Sequence, residues 1–393
     1  MKKNLSKLNK IEELLSRGVE EIIDKSNLEN KLKSGKQLRV KLGIDPTSPN
    51  IHLGRSIPLL KLRDFQELGH KIIFIIGDFT GLIGDSSDKD SERPMLSEEI
   101  VKQNLKTYIK QAAKIIDIDT TEIYHNSEWL GKLGYLEIGR QAGIFSLNEF
   151  ISRENIDRRL KEGKRVSLRE LLYPLMQGYD SVKVRADVEI GGTDQRFNLL
   201  AGRDVQRLYD QEPQDILTNP LIEGLDGRKM SSSFGNTVNL FDTPDDMFGK
   251  VMSLRDDFII KYFTLLTRID MQTISEYEKS LNTGTNPRDI KKKLAHEIVA
   301  MYHKVDVADL AQLNWEKVFS EKKVPETTQE IKVEKDAILI DILVVYGLIK
   351  SKNNARRLFE EGAIRNLSDD SKITDPQTKV TQPLVLKIGK KTF

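Results

Sequence analysis

Arg39-Val40-Lys41-Leu42-Gly43-Ile44, then Ile57 to Leu68, then Lys71-Ile72-Ile73-Phe74-Ile75-Ile76 is the stretch that decides the fold. Its first and third segments are short, largely apolar runs that each lead into a Gly-rich or Pro-containing turn, the pattern of buried strands. The middle segment has helical spacing, so the three together predict a β-α-β unit. Working outward, Thr121 to Tyr124, Asp187 to Ile190 and Asp215 to Thr218 are further strand candidates separated by helical stretches. That alternation predicts an α/β fold with a doubly wound parallel sheet. The long, mostly helical segment from Asn126 to Asp180 reads as an insertion into the sheet and a candidate for dimer contacts. Upstream, Ile11, Leu14, Leu15, Val19, Ile22 and Ile23 predict one amphipathic helix. Beyond Phe241 the strand signals stop, and Asn286-Pro287 opens a helix whose Ile290, Leu294, Ile298 and Tyr302 step by four.

The 393 residues leave room for two to four domains at roughly 100 to 200 residues each. With 62 Lys+Arg against 60 Asp+Glu, bulk charge does not hold this chain on nucleic acid, and any RNA contact must be local. The last segment, from Lys335 onward, is the exception, with 11 basic against 7 acidic residues. Cysteine is absent, which excludes disulfides, thiolate metal sites and a cysteine nucleophile, and fits a cytoplasmic protein. The charged N-terminus is unlike a signal sequence. The strongest apolar run, Ile72 to Ile76, falls far short of the roughly 18 residues a membrane helix needs.

Two polar clusters could handle a nucleotide. Gly43-Ile44-Asp45-Pro46-Thr47 and Ile51-His52-Leu53-Gly54-Arg55 lie where the first strand exits and the next helix starts, the end of an open sheet at which ligands bind. Gly43 and Gly54 would admit a nucleotide close to the backbone, with Thr47 and His52 donating to phosphate near a helix N-terminus. Taken alone, the same residues read equally well as a turn and a surface histidine. Downstream, Gly227-Arg228-Lys229-Met230-Ser231-Ser232-Ser233-Phe234-Gly235 is a hydroxyl-rich loop beside two cations that could close on a triphosphate. By itself it is also an ordinary Ser-rich connector.

In this order, the two clusters resemble the paired ATP signatures of class I aminoacyl-tRNA synthetases, usually written HIGH and KMSKS. The residues between them narrow the resemblance to the tyrosyl-tRNA synthetase family: Leu171-Leu172-Tyr173-Pro174-Leu175-Met176-Gln177-Gly178-Tyr179-Asp180 is similar to its amino-acid pocket helix, and Glu189-Ile190-Gly191-Gly192-Thr193-Asp194-Gln195 to its ribose and carboxylate loop. Ser351 through Asn366 looks like the S4 RNA-binding module of bacterial members. The resemblance implies that Asp180 accepts a hydrogen bond from the tyrosine phenol and that Tyr173, Gln177 and Asp85 hold its α-ammonium. Gln195 would contact the tyrosine carboxyl region, with Asn148 a further pocket residue. Gly43, Asp45, Gly54, Gly192, Asp194 and Met230 would surround ATP, and Lys89 and Arg93 its pyrophosphate. The catalytic set would be His52, Thr47, Arg55, Lys229, Ser231, Ser232 and Ser233. The residue chemistry agrees: a carboxylate complements an ammonium, and positions i, i+4 and i+7 share one helix face.

The family's reaction would need ATP with Mg2+ as substrate, no tightly bound cofactor and no resident metal, with tRNA(Tyr) and L-tyrosine as partners of a homodimer and no membrane. Three positions depart from the family pattern. Arg55 replaces the second His of HIGH, Ser232 the second Lys of KMSKS, and Lys41 stands where many members place a phenol-binding tyrosine. Arg55 retains a donor, and Arg228 adds a charge beside Lys229. Tryptophanyl synthetases share the architecture, but Tyr173-x3-Gln177-x2-Asp180 favours tyrosine; a degenerate RNA-binding scaffold is opposed by the intact Asp180, Asp194, Gln195 and Lys229. The expected organisation is an N-terminal helix plus Rossmann-type catalytic domain over 1–240 with its insertion at about 126–182, an α-helical domain over 241–325, a linker over 326–336, and a small α+β S4-like domain over 337–393. There Arg356, Arg357 and Arg365 would bind tRNA, on a short helix capped by Ser351 and ended by Gly362.

Overall fold

A computed structural model of the chain describes residues 2–87, 91–92, 95–320, 331, 333, 336–349, 351–366, 371–381 and 384–388, with the side chains of 2–7 and 318–320 left aside. Most of the expected linker, together with Lys89 and Arg93, lies outside the described residues. Two compact units divide the chain, residues 1–308 and 309–393.

The first unit is built on a six-stranded sheet: β1 (Glu21–Ile23), β2 (Arg39–Ile44), β3 (Lys71–Ile76), β4 (Glu122–His125), β5 (Val188–Gly192) and β6 (Asp215–Asn219). Their order is β1-β6-β5-β2-β3-β4, all parallel except β1, which runs antiparallel to β6. The five parallel strands are those expected, to within a residue or two at their ends. Ile72 through Ile76 are almost completely buried, as a central strand covered on both faces requires.

The N-terminal segment corrects the expectation of one amphipathic helix. The helix Lys2–Leu14 stops before Gly18, which turns the chain at φ 63°, and Ile22 and Ile23 belong to β1. β-branched residues suit a strand, and β1 covers an edge of β6 that would otherwise expose unpaired backbone groups.

The crossover from β4 to β5 is long and helical, ending in the helix Leu168–Val184, whose N-terminus is closed by a Ser167/Glu170 capping box. After β6 come Pro244–Met252, Ile259–Leu266, Met271–Asn282 and Pro287–His303, the last capped by Asn286 with Ile290, Leu294, Ile298 and Tyr302 buried. These helices are tied to the sheet's own helix Leu53–Glu67 and to the N-terminus. Tyr302 Oη donates to Ser56 Oγ at 3.2 Å, and Arg17 Nη2 donates to the Thr267 carbonyl at 2.8 Å.

In the second unit, Ala337–Ile338 pairs with Lys379–Val380 and Ile364–Asn366 with Leu386–Ile388, both antiparallel. Helices Leu339–Val345 and Lys352–Glu360 pack beside them around Leu339, Leu343, Ala355, Phe359 and Ile364. Ser351 caps the second helix, and Gly362 follows it in the left-handed region at φ 61°.

Candidate active site

The strand order reverses between β2 and β5. These two strands pair only at Val40 with Val188 and Lys41 with Glu189 and then part. The gap at a reversal of this kind is where an open parallel sheet binds ligands. A cleft of about 280 Å3 opens there, and it gathers most of the expected residues: Gly43, Asp45, Thr47, His52, Gly54, Arg55, Asp85, Tyr173, Gln177, Asp180, Gly192, Asp194, Gln195 and the loop Lys229 to Ser233.

At one end, Tyr173, Gln177 and Asp180 project from a single face of Leu168–Val184. Asp180 is buried; its Oδ1 accepts from Trp129 Nε1 at 2.7 Å and its Oδ2 from Asn126 Nδ2 at 3.2 Å. Burial pushes the Asp180 carboxyl up to about 7, against the pull of Lys41, Trp129 and Asn126. The Asn126 amide also donates to Thr80 Oγ1 at 2.9 Å, and Thr80 donates to Asp45 Oδ1 at 2.7 Å. The Tyr173 hydroxyl donates to Asp45 Oδ2 at 2.8 Å, so its own lone pairs remain for a donor in the cleft. Asp45, expected beside ATP, therefore has an oxygen committed to each of Thr80 and Tyr173, and desolvation at the base of the cleft pushes it up to about 6. Gly77 makes this possible: a Cβ there would lie 2.0 Å from Asp45 Oδ1 and 2.4 Å from Thr80 Oγ1.

Asp85 and Gln195 come together, Gln195 Nε2 donating to Asp85 Oδ2 at 2.6 Å and to Ser87 Oγ at 2.9 Å. The loop around them is braced from the insertion by Asn155, which donates to the Ser86 carbonyl at 2.7 Å, and by Arg169, which pairs with Glu92 at 3.0 Å.

At the other end, His52 is the N-cap residue of Leu53–Glu67 and folds back over it. A Cβ on Gly54 would sit 3.1 Å from the imidazole ring, which explains the glycine. His52 is buried with its Nδ1 unpartnered, and burial together with the Arg55 and Lys229 charges pushes its pKa down to about 3. The ring is thus uncharged at neutral pH. Arg55 spans the cluster, donating to Thr47 Oγ1 and Tyr108 Oη at 2.9 Å each and to the Asp45 carbonyl at 3.2 Å. Lys229 Nζ pairs with Asp194 Oδ2 at 2.7 Å, and Ser232 Oγ reaches Ser48 Oγ at 3.3 Å, so the two distant sequence clusters face each other. Asn236 holds the loop, accepting from Ser231 N at 2.9 Å and donating to Asp226 Oδ1 at 2.6 Å. Met230 is buried, its Sδ 3.2 Å from Gly54 N.

Some expectations fall elsewhere. Asn148 is exposed on Leu147–Ile151 and does not line the cleft. Arg228 is paired with Asp226 at 2.6 Å and stacks on Phe234, so it is not aimed at the cleft beside Lys229. Lys41 is fully buried behind the cleft wall, its side chain on the face of β2 toward Leu168–Val184, where it pairs with Glu189 at 2.8 Å. No individual role was expected for Thr80, Asn126, Trp129 or Glu189, although Glu189 opens the stretch similar to the ribose and carboxylate loop. Thr80 and Asn126 lie just past the carboxyl ends of β3 and β4, where the ligand-position rule for open sheets could have found them.

The model for class I tRNA synthetases of the tryptophan and tyrosine type matches residues 33–320. A tyrosine–tRNA ligase of Carboxydothermus hydrogenoformans is 45% identical over 396 residues, 97% of this chain and 96% of that protein. The chain belongs to the tyrosyl-tRNA synthetase family. A second tyrosine–tRNA ligase, of Thermotoga maritima, is 43% identical across 97% of the synthetase and 95% of its own length. Among solved structures, a tyrosyl-tRNA synthetase complexed with L-tyrosine from Archaeoglobus fulgidus shares the fold, with a TM-score of 0.62 and 23% identity over 78% of this chain and 99% of that one. A C-terminally truncated mitochondrial enzyme of Aspergillus nidulans does so with a TM-score of 0.67 and 22% identity over 79% and 94%.

Proposed function

We propose that this synthetase joins L-tyrosine to tRNA in two steps, activating it with Mg·ATP to tyrosyl-adenylate and pyrophosphate and then passing it to the 3′ end of tRNA(Tyr). The observation that carries the choice of amino acid is Asp180, a buried carboxylate lining the cleft. It accepts the phenol hydrogen, and phenylalanine is rejected because it would leave this buried acceptor with an unmade bond. The α-ammonium lies among Tyr173 Oη, Gln177 Oε1 and Asp85, with Gln195 toward the carboxyl group. This places the tyrosine carboxylate, already ionised at neutral pH, facing the α-phosphate of ATP, whose adenosine takes the space beside Gly43, Gly192 and Asp194.

No strong base is needed. Catalysis comes from positioning and from donors aimed at the charge that builds on the phosphates. His52 supplies an uncharged N–H, Arg55 holds the Thr47 hydroxyl in place, and Lys229 exchanges Asp194 for phosphate when ATP enters. Met230 and Ser231 to Ser233 close the loop over the nucleotide. Arg55 thereby serves in place of the second histidine of the family motif. A ribose hydroxyl of the tRNA 3′ end then attacks the adenylate carbonyl and AMP leaves.

Residues 337–393 are read as an S4-like tRNA-binding domain, supported by the exposed Arg356 and Arg357 on one capped helix and by Arg365 on the neighbouring strand. A homodimer through the inserted segment is supported by the apolar side chains of Tyr135, Leu136 and Leu168, which are 94%, 90% and 77% exposed on it. The reading places the enzyme in the cytoplasm, in keeping with a chain that has no cysteine. Among the described residues, no helix is long and apolar enough to cross a membrane. ATP–pyrophosphate exchange run with each amino acid tests the assignment: tyrosine alone should support exchange, whereas exchange with tryptophan alone, or with none, would refute it.

A further inference from the structure

Lys41 and Glu189 face each other on the last rung that β2 and β5 share before they part to form the cleft. Both are essentially inaccessible, at 0% and 1% exposure, and neither lines the cleft. The Lys41 ammonium has three hydrogens and three acceptors: Glu189 Oε1 at 2.8 Å, Ser181 Oγ at 2.7 Å and the Gln177 carbonyl at 2.9 Å. Glu189 in turn accepts from Gln177 Nε2 at 3.0 Å, from Ser181 Oγ at 3.2 Å and from Gln214 Nε2.

We propose that Lys41 and Glu189 are positioning residues for tyrosine recognition, holding the pocket helix from behind and fixing which way the Gln177 carboxamide faces. The inference rests on the tyrosine reading above. A carboxylate only accepts hydrogen bonds, so Glu189 takes the amide's NH2 and leaves the Gln177 oxygen on the cleft side, where an ammonium needs an acceptor. With the amide reversed, the same side chain would turn a donor toward that cation. The lysine ties the backbone of Gln177, three residues before Asp180, and the hydroxyl of Ser181, the residue after it, to the sheet, and it is a cation close enough to favour the ionised form of Asp180. Lys41 thus stands behind the pocket and acts through Gln177 and Asp180, without touching substrate. A buried ion pair is weak evidence for a purely stabilising role, since apolar replacements of similar volume often fold as well.

The test compares full-length variants in tyrosine-dependent pyrophosphate exchange, with the wild type run against all amino acids as control. Lys41→Met/Glu189→Leu should raise the tyrosine KM at least ten-fold and leave the ATP KM within two-fold. Glu189→Gln, which keeps an acceptor for the Gln177 amide, should stay within about three-fold of wild type for both substrates. An unchanged tyrosine KM in the double variant, equal rises for both substrates, or a Glu189→Gln variant as impaired as the double one would overturn the proposal. Should the double variant give no folded enzyme, Lys41→Met/Glu189→Gln, which leaves no buried charge unpaired, should still raise the tyrosine KM while sparing the ATP KM, and an unchanged tyrosine KM there would overturn the proposal. Asp180 is faced by Trp129, Asn126, Lys41, Glu189 and Tyr173, and the next carboxylate, Asp45, by Thr80, Tyr173, Asp85 and Arg55. Loss of the Lys41 cation should move the pH below which tyrosine KM climbs upward by about half a unit or more, and a profile superimposable on wild type would again overturn it. A wild type that ignores tyrosine fails the functional reading itself, and the inference with it.

Discussion

Replacing Asp180 by asparagine should improve stability relative to the wild type as the pH rises while impairing the protein as an enzyme. The Asp180 carboxyl is pushed from 3.8 to about 7 by burial. Because it ionises later in the folded chain than in the unfolded one, its contribution to stability is full below pH 4 or so and is lost as the pH rises toward 7. At about 1.4 kcal/mol per pH unit of displacement, integration between pH 5 and 8.5 gives a swing on the order of 3 kcal/mol. Asparagine does not titrate, so the stability of Asp180→Asn relative to wild type should improve by about that amount over this range, roughly 4 °C in melting temperature for a unit this size. The absolute offset is a separate matter. Asparagine offers one oxygen to two donors, Trp129 Nε1 and Asn126 Nδ2, and that mismatch costs about 1–3 kcal/mol at every pH. The comparison therefore uses the slope with pH, read from melting curves at pH 5, 6, 7 and 8.5. Tyrosine kcat/KM should fall about ten- to a hundred-fold, since a hydrogen bond to a charged group is worth about 1.5–3 kcal/mol. A stability gap that does not change with pH, or one that widens against the variant as pH rises, would show that the Asp180 carboxyl is not raised by burial.

Three further outcomes are expected. His52→Gln should lower the rate of adenylate formation by about one to two orders of magnitude; with the imidazole pKa near 3, the pH profile of the residual activity between 6 and 8.5 should parallel wild type, and the disappearance of a limb near 6.5 would show that His52 titrates in the working range. Gly77→Ala drives a methyl group into the Asp45–Thr80 hydrogen bond, so melting temperature should drop, by a loss of about 1–3 kcal/mol, and tyrosine KM should rise; a variant indistinguishable from wild type in both would show that the bond is dispensable. Deleting residues 335–393 should weaken tRNA charging and spare tyrosine-dependent exchange, and parallel loss of both activities would argue against a separate tRNA-binding domain.

Local chemistry alone was enough to outline much of this protein. Apolar runs such as Ile72 to Ile76 have only one good use in a chain of this composition, a central strand, and the i, i+4, i+7 spacing of Tyr173, Gln177 and Asp180 puts them on one helix face wherever that helix packs. Asn286-Pro287 and Ser351 mark helix starts because the cap satisfies backbone donors next to it in sequence. What failed was local preference open to a non-local partner. Ile22 and Ile23 continue a helical pattern in sequence, yet β6 needs an edge strand and takes them.

The same division runs through the site. Fold class, family and residue types were already legible along the chain, because periodicity, caps and motifs are written over short distances. What those residues face came from the folded arrangement: Lys41 looks like a pocket residue until Glu189, brought beside it across β2 and β5, withdraws its charge from the cleft. Likewise Asp45 turns to Thr80 and Tyr173, and Asp180 meets Trp129 and Asn126. Hydrogen bonds and ion pairs act over about 3 Å in space whatever the distance along the chain, so a side chain's role is settled by its neighbours, and those are assembled only when the strands come together.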